Sequence, residues 1–173
     1  LQFDAKDRLW TSGAGGLAGW IDMKTFDQTG DAAKSQGWSP FVLDTNGNGK
    51  RDEYVEANQP MDAGKDMRVT GGSGTYAVMP NPADGSIWYT VGVFAGRGGV
   101  VRYDPDTQLA EVFNVPMPGF GPRGGDIDSK GVVWVSLASG HIGSFDRSKC
   151  KGPLNGPKAT GDHCPEGWSF YKY

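Results

Sequence analysis

The segment with the clearest chemistry is an oxygen-rich loop that begins at Asp44 and reads Asp-Thr-Asn-Gly-Asn-Gly-Lys-Arg-Asp-Glu. Side-chain oxygens occupy positions 1, 3 and 5 of this loop, at Asp44, Asn46 and Asn48, and a glycine occupies position 6. The pattern matches the beginning of an EF-hand-type loop, in which alternate side chains turn inward around a hard cation such as Ca²⁺. The glycine permits the sharp bend that this arrangement requires.

The end of the loop departs from that pattern at its last ligand. Lys50 would contribute its main-chain carbonyl and Asp52 its carboxylate, but position 12 is Val55, where the pattern has a bidentate glutamate. We expect Glu53 or Glu56 to supply that carboxylate instead. The sequence therefore predicts one structural Ca²⁺, and the alternative is an Asn-Gly-rich turn that binds no ion.

Two cysteines, Cys150 and Cys164, enclose a segment (151–163) that is rich in Gly, Pro and Asn. Because this segment has little apolar content to order it, we expect a disulfide, which would contribute on the order of 3 kcal/mol. The alternative is a pair of free thiols. Since disulfides persist in oxidising compartments, the bridge predicts a periplasmic or extracellular location.

The sequence offers few other groups for catalysis. The two histidines, His141 and His163, do not have the spacing of a metal pair, and no Cys-x-x-Cys-His haem motif is present. There is also no Gly-x-Ser-x-Gly motif. The glycine-rich run at 96–99 leads into a predicted strand, whereas a nucleotide-binding loop opens a helix.

Composition and charge exclude two classes of partner. The chain has 173 residues and a net charge of −3 from 17 basic and 20 acidic residues, with no block of Lys or Arg. A nucleic-acid-binding surface is therefore not expected. No stretch approaches the roughly 20 apolar residues of a membrane-spanning helix. The 28 glycines and 12 % aromatic residues are typical of short strands joined by tight turns.

The elements that position these groups are indicated by a threefold repeat centred on Trp10, Trp88 and Trp134. Each tryptophan ends a short run that follows a polar turn, and a Ser or Thr stands two residues after it. An apolar residue and an aspartate then follow, with the aspartate 12 or 16 residues after the tryptophan. These pairs are Ile21-Asp22, Tyr103-Asp104 and Phe145-Asp146.

Each copy has four predicted strands, with the innermost strands at 1–4, 75–79 and 125–128. Four antiparallel strands in a repeat of about 40–50 residues are the signature of a β-propeller blade. We therefore predict an all-β fold in which 1–173 form part of one β-propeller, with about three four-stranded antiparallel blades. No helix is predicted, apart from a single turn at 31–36.

Two segments lie outside the repeat: an insertion at 31–70 that carries the calcium-type loop, and the cysteine loop at 150–164 in the third blade. Three blades cannot close a propeller, which typically has four to eight. We expect the remaining blades of the same polypeptide, or other chains, to complete it. We favour a segment of a longer polypeptide over closure by copies of this chain.

Ligands of a propeller meet the residues at the ends of its central channel. Thr75 and Tyr76 stand at that place before the second copy, and Arg123 and Asp126 before the third. The Arg123 guanidinium could bind a carboxylate or a phosphate. The alternative is a structural ion pair with Asp126 or Asp128.

The third copy, at 122–136, resembles the blade consensus of virginiamycin B lyase-like propellers and their NHL and gluconolactonase-like relatives. The second copy, at 80–90 with 102–107, resembles it too. The resemblance leaves out the Asp44 loop and the cysteine loop, which look like additions found on large secreted bacterial propellers. It implies a propeller fold and specifies function poorly.

Antibiotic-cleaving members of that family use an inner-strand histidine, a second acid or base and a bound magnesium. The matching position here is Arg123, or Thr75 in the preceding copy, and neither can act as that base. We therefore expect a secreted scaffold that binds a small molecule or a protein and is stabilised by Ca²⁺ and a disulfide. The alternative is a lyase or lactonase whose reacting residues lie mostly outside this chain.

Overall fold

The structure is a computed structural model that describes residues 1–13, 15–70, 72, 74–92 and 96–173. Strands make up 41 % of it and helices 10 %. Nearly all strand pairs are antiparallel. The expectation of an all-β fold is therefore confirmed. In the described part of the chain the longest helix has seven residues, and none is long and apolar enough to cross a membrane.

The first group of four strands pairs antiparallel in chain order. Its members are β1 (Gln2–Phe3), β2 (Arg8–Thr11), β3 (Leu17–Asp22) and β4 (Gln36–Leu43). The strand β4 lies inside the 31–70 segment that the sequence suggested as an insertion. The extra chain after β4 contains two short strands, β5 (Tyr54–Val55) and β6 (Asp66–Val69). The strand β6 pairs antiparallel with β4, and β5 pairs parallel with β6.

Two short helices, α1 (Met23–Thr29) and α2 (Ala32–Ser35), connect β3 to β4. The side chains of Asp22 and Asp31 cap their first turns by accepting main-chain N–H groups. The expectation of no helix beyond one turn was wrong for α1. Since α1 buries none of its residues, its sequence has no apolar stripe that would reveal a helix.

The second and third groups repeat the antiparallel pairing in chain order. The second group is β7 (Thr75–Pro80), β8 (Ile87–Val91), β9 (Gly99–Tyr103) and β10 (Ala110–Asn114). The third group is β11 (Pro122–Ile127), β12 (Val133–Leu137), β13 (His141–Phe145) and β14 (Trp168–Lys172). Two 3-10 helices, Arg147–Lys149 and Pro165–Gly167, lie between β13 and β14.

The first two groups join through one parallel bridge, between Leu43 of β4 and Ala110 of β10. The result is a ten-stranded sheet whose end strands, β1 and β7, are also in contact, so that the sheet nearly closes like a barrel. The third group forms a separate four-stranded sheet, and β11 lies against β7. This connectivity does not by itself establish the radial arrangement of a propeller, which stays a prediction.

Each group packs one face onto the next group. The first and second groups share a core whose buried members include Trp10, Phe41, Tyr89, Val101 and Tyr103. The second and third groups share a core whose buried members include Trp88, Phe113, Val133, Val135 and Phe145.

The three repeat tryptophans do not have the same environment. Trp10 and Trp88 are fully buried, whereas Trp134 is 37 % exposed. Trp134 is therefore not buried between two groups of strands, although it has the same place in the sequence repeat. The sheet face that carries Trp134 also carries Tyr171 of β14, which is 50 % exposed and whose ring stacks on the indole at 5.8 Å between centroids.

Candidate functional site

The Asp44 loop is organised by its first residue. The Asp44 carboxylate is buried, and it accepts main-chain N–H groups from Gly47 at 2.7 Å, Asn48 at 3.1 Å and Gly49 at 2.7 Å. Gly49 has a φ of 75°, a backbone conformation that favours glycine. The loop therefore curves around the Asp44 carboxylate. An EF-hand-type loop is curved in the same way.

The two loop asparagines converge on Asp52. Nδ2 of Asn46 and Nδ2 of Asn48 both donate to the same Asp52 oxygen, Oδ2. These two hydrogen bonds are the leading cause that holds the pKa of Asp52 below its usual range. Three of the predicted ligand side chains are thus brought together at one point of the loop.

Asp66, the first residue of β6, is a fully buried carboxylate beside this loop that the sequence prediction missed. Its Oδ2 accepts the main-chain N–H of Asp52 at 2.9 Å, and the main-chain N–H of Asn46 also acts on this carboxylate and lowers its pKa. Burial is the largest cause that raises the pKa of Asp66, and the carboxylates of Asp44 and Asp52 raise it further. No sequence signal relates Asp66 to the loop, because the pairing of β5 with β6 creates the contact.

The two glutamates expected to complete the ion site are engaged elsewhere. Glu53 Oε2 is 3.1 Å from Nζ of Lys65, and Glu56 Oε2 is 3.0 Å from Nη1 of Arg68. Among the residues that the structure describes, no three His, Cys, Asp or Glu side chains form a metal-binding cluster by themselves. The predicted site would depend on amide and main-chain oxygens for much of its coordination, and Ca²⁺ stays a prediction.

The predicted disulfide between Cys150 and Cys164 is confirmed, with a Cα–Cα distance of 5.1 Å. The cysteine loop that it closes packs onto the Asp44 loop. Asn155 Nδ2 donates to Asp44 Oδ2 at 3.1 Å, and the main-chain N–H of Gly156 donates to the Asp44 carbonyl at 2.6 Å. The third group of strands is thereby fastened to the segment that follows the first group.

The four predicted channel-mouth residues lie on two strands that contact each other, β7 and β11. Thr75 bonds the main chain of Gly13, with its N–H 2.8 Å from the Gly13 carbonyl, so it ties the second group to the first. Tyr76 and Asp126 are exposed. The Arg123 carbonyl accepts the hydroxyl of Thr90 at 2.8 Å, which ties the second group to the third. The strands thus bring the four residues to one region, whose ligand stays a prediction.

An aspartate orients the tryptophan in two of the repeats. Asp4 and Asp128 each accept two main-chain N–H groups of the following turn, and each accepts the indole N–H of Trp10 or Trp134. Burial acts to raise the pKa of Asp4, but hydrogen bonds from Trp10 and from the main chain outweigh it and hold the pKa below the ordinary value. For Asp128 the Trp134 indole is the leading cause of a lowered pKa.

Both histidines contact neighbouring side chains of the fold. Nδ1 of His141 lies 3.1 Å from the Ser139 hydroxyl, and the ring stands edge-on to Phe170. The His163 ring packs on Phe113, and burial is the main cause that lowers its pKa. In the described part of the chain neither histidine forms an ion pair with a carboxylate.

Two sheet faces at opposite ends of the three groups expose large apolar side chains. The first, which we call the Ile21 face, lines a cavity of about 510 Å³ and carries Phe3, Leu9, Ile21 and Trp38. The second, which we call the Trp134 face, carries Trp134, Ile142 and Tyr171.

Comparisons with protein-family models, with curated proteins and with solved structures gave no match to this chain.

Proposed function

We propose that this chain forms three consecutive blades of a secreted β-propeller of the virginiamycin B lyase-like kind and acts as a binding scaffold. One observation carries the proposal, namely that the same contact between groups occurs twice. Trp10 packs against Tyr103 of the second group at 6.0 Å between ring centroids, and Trp88 packs against Phe145 of the third group at 5.9 Å. Because Tyr103 and Phe145 are both the apolar residue of an apolar-Asp pair, each sequence repeat has the same role in packing.

The order of the innermost strands supports the same proposal. The first strand of each group contacts the first strand of the next, since β1 lies against β7 and β7 against β11. In a propeller these strands surround the channel. The ligand site that we propose is the region of Thr75, Tyr76, Arg123 and Asp126, where a guanidinium beside exposed polar groups suits a small molecule or peptide with a carboxylate or phosphate.

The Ile21 face and the Trp134 face each carry one member of the residue pair that forms the repeated contact between groups. Ile21 is the apolar residue of the first apolar-Asp pair, so it corresponds to Tyr103 and Phe145. Trp134 corresponds to Trp10 and Trp88. We therefore propose that each open face is covered by a further four-stranded unit of the same repeat. Ca²⁺ in the Asp44 loop and the disulfide would stabilise such a scaffold in an oxidising compartment.

Light scattering on the isolated chain tests this proposal. Two uncovered apolar faces exceed what a soluble monomer usually exposes, so we expect the chain to associate at micromolar concentrations. Trp134→Glu should reduce the association, because it places a charge in the centre of one face. Met117→Glu is the matched control, since Met117 is 72 % exposed in a loop outside both faces. A compact wild-type monomer with a cooperative melt would contradict the proposal.

A further inference from the structure

We infer that Asp44 protects three asparagines from spontaneous deamidation, and that these asparagines become modification sites once the contacts of Asp44 are lost. The three are Asn46, Asn48 and Asn155, and each of them precedes a glycine in the sequence. Asparagine is a thermally labile residue. It reacts fastest before glycine, because glycine has no side chain to hinder attack by its main-chain nitrogen. This role goes beyond the binding scaffold proposed above and needs no ligand.

Deamidation of an Asn-Gly pair requires a free glycine nitrogen. The glycine N–H loses its proton to water, and the nitrogen attacks Cγ of the preceding asparagine. The N–Cγ bond forms, the Cγ–Nδ2 bond breaks, and the side-chain nitrogen takes up a proton and leaves as ammonia. Water then opens the five-membered imide at one of its two carbonyls, which leaves an aspartate or an isoaspartate. The net change is the gain of one water and the loss of one ammonia.

Asp44 accepts the glycine N–H of all three pairs. Its Oδ1 accepts that of Gly47 and its Oδ2 that of Gly49, both at 2.7 Å. Its main-chain carbonyl accepts the N–H of Gly156 at 2.6 Å. Removing a proton from a nitrogen that bonds a carboxylate would place two negative charges side by side, which opposes the first step of deamidation. Since Asp44 and Gly156 are buried, these bonds are also shielded from water.

The asparagine side chains are held by further hydrogen bonds. Oδ1 of Asn46 and Oδ1 of Asn48 each accept the main-chain N–H two residues on, at 3.1 and 2.8 Å, and their Nδ2 atoms donate to Asp52. Nδ2 of Asn155 donates to Asp44 Oδ2 at 3.1 Å. In each pair, therefore, the glycine nitrogen and the asparagine carboxamide must both leave their present partners before the ring can close.

The backbone explains why the labile pairs are present. Gly47, Gly49 and Gly156 have φ values of 79°, 75° and 88°, in the left-handed region that favours glycine. Any other residue at these positions would be strained, so the loops require glycine after each asparagine. The hydrogen bonds to Asp44 then keep these three pairs unreactive while the fold is intact.

The three sites are released by different events. The bonds to Gly47 and Gly49 depend on the Asp44 side chain, whereas the bond to Gly156 depends on its main-chain carbonyl and on the docking of the cysteine loop. Deamidation of Asn155 would replace the Nδ2 donor with a carboxylate facing that of Asp44. Because like charges at this distance repel, the modified cysteine loop would no longer dock.

Peptide mapping by mass spectrometry, which resolves aspartate and isoaspartate at each asparagine, tests the inference. The full chain is incubated at neutral pH in EDTA, both folded and in guanidinium. We expect all three sites to react at least about tenfold more slowly in the folded wild type, since a hydrogen bond to a charged group shifts a local equilibrium by about that factor or more. Asp44→Ala should accelerate the reaction of the folded chain about tenfold or more at Asn46 and Asn48, and less at Asn155.

The matched control is Asp128→Ala, because Asp128 also accepts two main-chain N–H groups of a turn but contacts none of the three pairs. This variant should deamidate as the wild type does. Equal rates in the folded and the denatured wild type would overturn the inference, as would wild-type rates at Asn46 and Asn48 in folded Asp44→Ala.

A second variant separates loss of local protection from loss of the fold. Changing both Cys150 and Cys164 to serine should accelerate deamidation at Asn155 and leave Asn46 and Asn48 at their wild-type rates, because only the cysteine loop is loosened. If Asp44→Ala unfolds the chain, this variant and the wild-type comparison decide the question. Selective acceleration at Asn155 supports the inference, and equal acceleration at all three sites, or at none, overturns it.

Discussion

Replacing Phe145 with alanine tests whether the repeated contact between groups stabilises the fold. The Phe145 side chain is fully buried, and its ring lies 4.5 Å from Phe113, 5.1 Å from Trp168 and 5.9 Å from Trp88, measured between centroids. These three partners come from both the second and the third group. A cavity at this position would therefore weaken the junction between the two sheets as well as the third group itself.

The magnitude follows from the size of the buried ring. Phe→Ala substitutions in well-packed cores cost about 3–5 kcal/mol. For a chain of this length that loss corresponds to a fall in melting temperature of roughly 6–20 °C. Phe145→Leu keeps most of the volume and should lower the melting temperature less.

Ile142→Ala is the matched control on the same strand. Ile142 is 43 % exposed on the Trp134 face, so its truncation should shift the melting temperature by only a few degrees. Scanning calorimetry should be run at one protein concentration, because association through the open faces would make the melting temperature depend on it. A loss for Phe145→Ala no greater than that for Ile142→Ala would refute the reasoning that the stacking of groups holds the fold together.

Two further predictions concern the disulfide and pH. Changing both Cys150 and Cys164 to serine should cost about 3 kcal/mol, or roughly 6–12 °C in melting temperature, because the unfolded chain gains freedom. Non-reducing peptide mapping that finds two free thiols in the wild type would contradict the disulfide on which this prediction depends. The second prediction uses Asp4, whose pKa in the folded state lies below the ordinary 3.8. The stabilisation from its charged form is present above about pH 3.8 and is lost as pH falls through the folded pKa. The wild type should therefore melt above Asp4→Asn at neutral pH, and a difference that stays constant down to pH 3 would contradict this.

The strands were predictable because their pattern is local. The runs ending at Trp10, Trp88 and Trp134 alternate or are continuously apolar, and polar turns precede them. The strand β11 nevertheless begins at Pro122, before the predicted 125, because a shift in pairing register between Pro122 and Gly125 lengthens it. The disulfide was predictable for a similar reason, since an apolar-poor loop between two cysteines is visible in the sequence.

The features that sequence reasoning missed depend on contacts between distant segments. Helix α1 has no buried face, so its residues show no periodic signal. The place of Asp66 beside the Asp44 loop arises from the pairing of β5 with β6. Trp134 is exposed, whereas Trp10 and Trp88 are buried. Since the three copies share the same repeat motif, the motif does not encode this difference.

The bond from Asn155 to Asp44 joins residues 111 positions apart, while most strand pairs here connect neighbours in the chain. Contacts of such large sequence separation form late, because much of the chain must be ordered before their loop can close. A nascent chain can pair each group of strands as it emerges, but the Asp44 loop acquires this neighbour only after the third group has been made. Oxidation of Cys150 and Cys164 reduces the number of conformations that the segment carrying Asn155 can adopt before it docks on the Asp44 loop. The order of events during folding would then be strand pairing first, disulfide formation next and docking of the two loops last.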